Sequence, residues 1–335
     1  MRGSLILLAL TACALASDQQ VGEIDFFGYK GFDIEAIRRA LPLHEGDRIP
    51  GAGLKALEQL KSQLSEKVAK VIGQNPTDIR FVCCDAQQRS MVYIGLPGKS
   101  YQSIVFNPTP VEDVRLPKTA IVLNDANDKA GFKAIMKGHG EEDRSQGYSL
   151  MKDPGARKTQ LAMRDYALQH EALILQILES SRHAGQRAIA AEMLGYAHQS
   201  KEQVDALVKA SLDPDDDVRN NAVRALAVLG SAKPDLVRRV PLDSFIGLLR
   251  SGSWTDHNKA SFFLEALTEA RDSAVLERIR AGALDSLLEM ARWHNPGHAF
   301  FALEVLGRIA GMDEDSLGKA IEANQTAVIL SKFEK

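Results

Sequence analysis

Two hydrophobic periods divide the chain. From Val21 to about Asn107 short apolar runs are mixed with helical stripes, and beyond Lys158 only the helical period persists. "VGEIDFFGYKG" predicts a strand that ends in glycine turn chemistry. "DIEAIRRAL" places Ile34, Ile37 and Leu41 on one helix face behind Asp33, a good N-cap. A second helix carries Leu54, Leu57, Leu60, Leu64, Val68 and Val71. "DIRFVCC" and "SMVYIGL" then read as two strands joined by the polar "DAQQR". The predicted order is strand, helix, helix, strand, strand.

Residues 108–157 interrupt the pattern. "NPTPVEDVRLP" and "KGHGEEDRSQGYSLMKDPG" flank one helical stretch, Lys118–Lys137, and are rich in Pro, Gly and charge. They predict a linker or a folded strap, with Tyr148, Leu150 and Met151 as the residues that would dock.

From residue 158 onward the helices repeat. Aligning "RAIAAEMLGYA", "RNNAVRALAVLG", "ASFFLEALTEA" and "AFFALEVLGRIA" superposes Leu194, Leu226, Leu267 and Leu306, at spacings of 32, 41 and 39 residues. Ala190, Ala222, Phe263 and Ala302 lie four residues before them. In "LDPDDDVRNNAVRALAVLG", Val218, Ala222, Ala225, Leu226 and Leu229 form one stripe, whose alanines allow close approach of a neighbouring helix. Val204, Leu207, Val208 and Leu212 form the stripe of a partner helix. Asp213-Pro214 turns the chain between the two, and the acidic run, Asp217 included, supplies an N-cap and favourable charge at the positive helix start. Arg219 is placed to pair with an aspartate of its own or the next repeat.

Composition adds limits. The 335 residues are 45% apolar and 25% charged, with a net charge of −3, as in ordinary globular proteins. Lys and Arg alternate with acids along the helices, so no basic face for nucleic acid is expected. The start, "MRGSLILLALTACALAS", has an apolar run too short to span a bilayer and reads as an export signal, residues 1–16. Ala14-Leu15-Ala16 fits a cleavage site that releases a soluble chain from Ser17. Leu10-Thr11-Ala12-Cys13 resembles a bacterial lipobox, which would make Cys13 a lipidated first residue and give the only expected membrane contact. Cys83 and Cys84 are adjacent on an expected strand, where neighbouring side chains point to opposite faces. A half-buried thiol pair is expected there rather than a disulfide.

Three resemblances follow from these residues. "IDFFG…DIEAIRRALPLHEGD" is similar to the opening of a POTRA domain across about Val21–Leu96, although "YIGLPGKS" replaces the usual acidic close. That resemblance implies a module for protein contact in the bacterial envelope. "DPDDDVRNNAVRALAVLG" resembles a HEAT repeat, and "IRAGALDSLLEMARWHNPGHAFFALEVLGRIAG" resembles its armadillo relative. Together these imply a curved stack of helix pairs whose inner surface binds other proteins. Ala260 and Ala299 stand where Arg219 does, so the Asp–Arg ladder is interrupted.

Candidate chemistry is sparse. "GLPGKS" lacks the P-loop glycine, Tyr93 standing in its place, and no apolar helix follows it directly. Asp213, Asp215, Asp216 and Asp217 lack the spaced Gly and the closing Glu of a calcium loop. His294 and His298 are separated by Asn295-Pro296-Gly297, so they read as polar loop residues rather than metal ligands on one helix face. No catalytic residue, metal or cofactor is expected. Trp254 and Trp293, in corresponding turns, are the expected anchors of a binding surface, while Asp213, Asp217, Arg219 and Leu226 are expected to build the repeat.

The expected fold is multidomain α+β: a βααββ module over 17–107, a linker or strap over 108–157, and an all-α HEAT/armadillo-type solenoid over 158–335. The expected function is that of an exported bacterial scaffold, periplasmic, secreted or lipid-anchored to the envelope, that binds a protein partner without catalysis. A HEAT-like enzyme or enzyme subunit such as a lyase, or a self-assembling structural protein, are the alternatives.

Overall fold

A computed structural model of the chain describes residues 19–49, 53–83, 85, 87 and 89–334. The export signal, its cleavage site and Cys13 lie outside the described residues.

The predicted βααββ order forms. Strand β1 (Val21–Phe27) leads to helices α1 (Ile34–Ala40) and α2 (Leu54–Ile72), then to strands β2 (Asp78–Val82) and β3 (Ser90–Gly95). β3 is central, parallel to β1 and antiparallel to β2, with Phe26 and Ile79 both in register with Ile94. Every residue of β3 is buried, as expected for a strand covered on both faces. One face meets Ile37, Leu60, Leu64 and Val68 of the two helices. Asp33 caps α1 by accepting the Ala36 N–H at 3.0 Å, the role its position predicts. Gly28 ends β1 with φ +68°, and a Cβ there would lie 1.9 Å from the Leu96 carbonyl oxygen, so only glycine fits.

Cys83 departs from expectation, because it is disulfide-bonded. It follows the last residue of β2, so the alternation of side chains along a strand does not constrain it. Cys84 lies outside the described residues.

The rest is almost entirely helical. The expected strap contains α3 (Lys118–Met136) and a two-stranded hairpin, β4 (Glu142–Asp143) with β5 (Leu150–Met151). Then follow α4 (Pro154–Gln169), α5 (Glu171–Ser180), α6 (Ala184–Leu194), α7 (Lys201–Ala210), α8 (Asp216–Ala232) and the short α9 (Pro234–Val237). The last six are α10 (Leu242–Leu248), α11 (Trp254–Thr268), α12 (Ser273–Met290), α13 (Pro296–Ile309), α14 (Glu314–Glu322) and α15 (Thr326–Leu330). The fold is therefore a small strand-containing N-terminal region followed by helical repeats.

The described residues group into two compact units whose bounds differ from a simple N-terminal and C-terminal division. One unit comprises Val105–Phe245 and Lys259–Val275. Here α6 and α8 pack side by side, with Val218, Ala222, Leu226 and Leu229 buried along the predicted stripe. A Cβ on Gly195 would sit 3.0 Å from the Ala225 methyl, which shows how closely the two helices approach. The segment expected as linker is bound chain. Asn107 N–H donates to the Leu212 carbonyl at 2.8 Å, Arg182 N–H to Glu112 at 2.8 Å, and the Ser181 hydroxyl to Val114 at 2.7 Å.

The other unit comprises the described residues up to Ile104, Ile246–Asn258 and those from Leu276 onward. Its second half supplies the cover for the other face of the sheet. The reason is hydrophobic demand: a sheet of three strands with two apolar faces needs a second layer.

Candidate functional site

Within the first unit, one position recurs on the repeat helices. Two residues before the aligned leucines stand Glu192 on α6, Arg224 on α8 and Glu265 on α11, a sequence of charges that alternates in sign. Non-repeat chain meets this ridge one side chain at a time. Asn127 of α3 donates its amide to Glu192 Oε1 at 3.0 Å. Glu142 of β4 accepts from Arg224 Nη2 at 2.5 Å, and the same nitrogen lies 3.3 Å from the Ser149 hydroxyl. Arg144, two residues on, lies over the Phe262 ring of α11 at 4.8 Å. Gln199 donates to the carbonyl of Gln146 at 2.5 Å, tying down the hairpin turn.

These groups are strongly perturbed. The Glu142 side chain is 2% exposed and that of Arg224 is 19% exposed, so the pair is largely withdrawn from water. Burial opposes the Arg224 charge, but Glu142, Tyr196 and Glu192 more than restore it. Burial, with Asp128 nearby, pushes the Glu192 carboxyl up to about 7. Burial and Asp125 push Asp128 up to about 6, and Asn124 donates to its Oδ2 at 3.0 Å. Lys259 is driven down to about 7, first by burial and then by the Arg224 charge. The arrangement holds polypeptide by charge and amide recognition. Glu192 and Arg224 were missed in the sequence, although charge at one repeat position was a usable signal; Glu142, paired with Glu141 in the expected linker, was assigned no site, and nothing local marks it.

The residues expected to build the repeat are placed as follows. Asp213 joins Arg187 of α6 through two 2.8 Å contacts. Arg219 donates to the carbonyls of Asp213 at 2.9 Å and Pro214 at 3.1 Å, and lies 4.0 Å over the Phe106 ring. Asp215 is the N-cap of α8, accepting from Asp217 N–H at 3.1 Å and Val218 N–H at 3.2 Å, and Asp217 sits in the first turn. Leu226 is fully buried. Among the described residues, Asp215, Asp216 and Asp217 are the group whose ligand atoms lie within 4.8 Å of one another. Asp213, engaged by Arg187, does not complete it.

The two tryptophans, expected on a binding surface, are inside the second unit. Trp254 is 2% exposed and Trp293 6% exposed. Their rings lie 5.2 Å apart and both pack on Tyr93 of β3. Trp293 Nε1–H donates to the Phe26 carbonyl at 3.0 Å, and the Trp254 N–H donates to Asp78 at 3.0 Å. They are anchors for the protein's own sheet rather than for a partner. The physical reason is the missing second layer over that sheet, which no local pattern around either tryptophan reveals.

The same surface buries other polar groups. Glu289 of α12 accepts the Gly28 N–H and the Ser100 hydroxyl, each at 2.6 Å. Burial raises its carboxyl, and these two donors counter that rise. His294 is not free in its turn, since its Nδ1 lies 2.7 Å from Asp25 Oδ1. His298 is no loop residue, being buried in α13 with its Nδ1 2.9 Å from the Met91 sulfur. Burial drives His257 down to about 3, so it stays neutral against Phe27 at 3.8 Å.

Comparison with known proteins bears on the repeats alone. Residues 171–251, which span α5 to the end of α10, match the family model described as HEAT repeats. A designed armadillo repeat protein is similar at 15% identity with a TM-score of 0.38, over 56% of this chain and 90% of that one. No curated protein matches.

Proposed function

We propose that the chain is a non-enzymatic scaffold whose helical repeats hold a protein partner. One observation carries the reading: helices α6, α8 and α11 hold side chains of non-repeat polypeptide, Asn127 on α6, Glu142 and Ser149 on α8, and Arg144 on α11. A surface built this way recognises protein by spaced polar contacts, and a HEAT-type repeat is a fold commonly put to that use. The N-terminal βααββ module is read as a POTRA-like contact module. The first 16 residues, read as an export signal, place the protein in a bacterial envelope, released from Ser17 or anchored through a lipid on Cys13.

The test is affinity capture from envelope extract with the full mature chain, alongside its Arg224→Glu variant, with masses recorded. A stoichiometric protein held by the wild type and lost on charge reversal is expected. If the wild type holds no protein under gentle washing, the scaffold reading falls. Its intact mass in solution separates a self-assembling protein from one that binds a different partner.

A further inference from the structure

We infer that the ridge of α8 and α11 selects an acid-x-base sequence in polypeptide, and that residues 141–146 hold in cis the place of a partner segment with that chemistry. The inference rests on the scaffold reading and names its ligand. Glu142 lies in β4, and Arg144 follows the strand at the start of the turn that the Gly147 N–H closes on the Arg144 carbonyl at 3.0 Å. Both side chains meet the helices. Asp143 between them stays 40% exposed. Glu142 meets the guanidinium of Arg224 and Arg144 meets the Phe262 face, with Glu265 acting on its charge. A reversed base-x-acid segment would set cation against Arg224, which is the repulsive element that confers selectivity.

The two arms of the hairpin are held differently. Leu150 and Met151 are buried apolar residues, and the Met151 N–H donates to Gln160 at 2.6 Å, so that arm belongs to the core. The first arm buries no apolar side chain, its Glu141, Ser145 and Gln146 are exposed, and it is held by the Glu142–Arg224 and Arg144–Phe262 contacts, by pairing with β5 and by Gln199. Simple release would leave the largely buried Arg224 without its carboxylate, a costly state. Exchange for another acid-x-base segment leaves no charge unpaired. The ridge is thus closed to most polypeptide and open to a competitor of matching chemistry.

The experiment uses the full chain and a fluorescent peptide of residues 138–152. The double variant Glu142→Ala/Arg144→Ala is expected to bind the peptide at least tenfold more tightly than the wild type does. Adding Arg224→Glu should remove that gain, and a peptide with its Glu142 and Arg144 exchanged should show none. A folded double variant with no gain overturns the inference. If the double variant is unfolded by circular dichroism, Arg144→Ala alone serves, since it leaves the Glu142–Arg224 contact. Faster hydrogen exchange at 141–146 with a severalfold gain in peptide affinity is then expected, and exchange without gain overturns the inference. Partner capture retained while the peptide fails overturns this inference and leaves the scaffold reading standing.

Discussion

Arg187 of α6 grips Asp213, in the turn before α8, through two parallel contacts of 2.8 Å, its Nε to one carboxylate oxygen and its Nη2 to the other. The two side chains are 1% and 7% exposed. A third Arg187 nitrogen donates to the Ser181 carbonyl at 2.8 Å, and Asp213 also accepts the Asp215 N–H at 2.9 Å. One repeat is thereby clamped to the turn of the next. Removing one partner leaves a buried charge uncompensated, so Asp213→Ala is expected to cost about 3–5 kcal/mol. Thermal unfolding followed by circular dichroism measures it. A loss below about 1 kcal/mol would show that the pair does not join the repeats.

Glu192 and Asp128 make stability depend on pH. Their folded-state values, about 7 and about 6, lie above the ordinary values of 4.5 and 3.8. The stabilisation is fully present below the ordinary values and is lost as pH rises through the folded ones. Between pH 5 and pH 8 the loss from the two groups together is on the order of 4 kcal/mol, from shifts worth 1.36 kcal/mol per pH unit. Hydrogen exchange of the α3 amides should accelerate correspondingly more than that of α15. The variant Asp128→Asn should flatten the dependence, and an unchanged slope would contradict the assignment.

Gly28 is irreplaceable for two reasons, its positive φ and the Leu96 carbonyl where a Cβ would sit. Gly28→Ala is expected to destabilise the α/β module by more than the 1–3 kcal/mol of backbone strain alone. The matching loss should appear in hydrogen exchange of β1 and β3. Normal protection of both strands in the variant would count against the contact.

The chain has two tryptophans, and both are buried. Native fluorescence should therefore be blue-shifted and nearly insensitive to acrylamide. Truncating either ring to Ala should cost about 3–5 kcal/mol. Ready quenching of the native protein would place at least one ring at the surface, contrary to the packing around Tyr93.

Much of the fold was legible along the chain. Asp33 announced α1, the stripe from Val218 to Leu229 announced α8, and the leucines at 194, 226, 267 and 306 announced the repeat. Each signal is local: a cap, a period or a spacing arises within one element, and backbone geometry alone gives it meaning. The ridge was half legible, since Glu192, Arg224 and Glu265 hold one repeat position, but nothing local shows that Glu142 answers Arg224 from 82 residues away.

Only the tertiary structure decided which faces meet. Trp254 and Trp293 carry no mark that separates a surface anchor from a core anchor, because the distinction depends on whether another element needs covering. The sheet of β1, β2 and β3 does, and Phe26, Tyr93 and Asp78 draw both tryptophans inward. Burial is a property of pairs of surfaces, so the sequence by itself determined the elements and their apolar stripes, while their partners were settled by long-range packing.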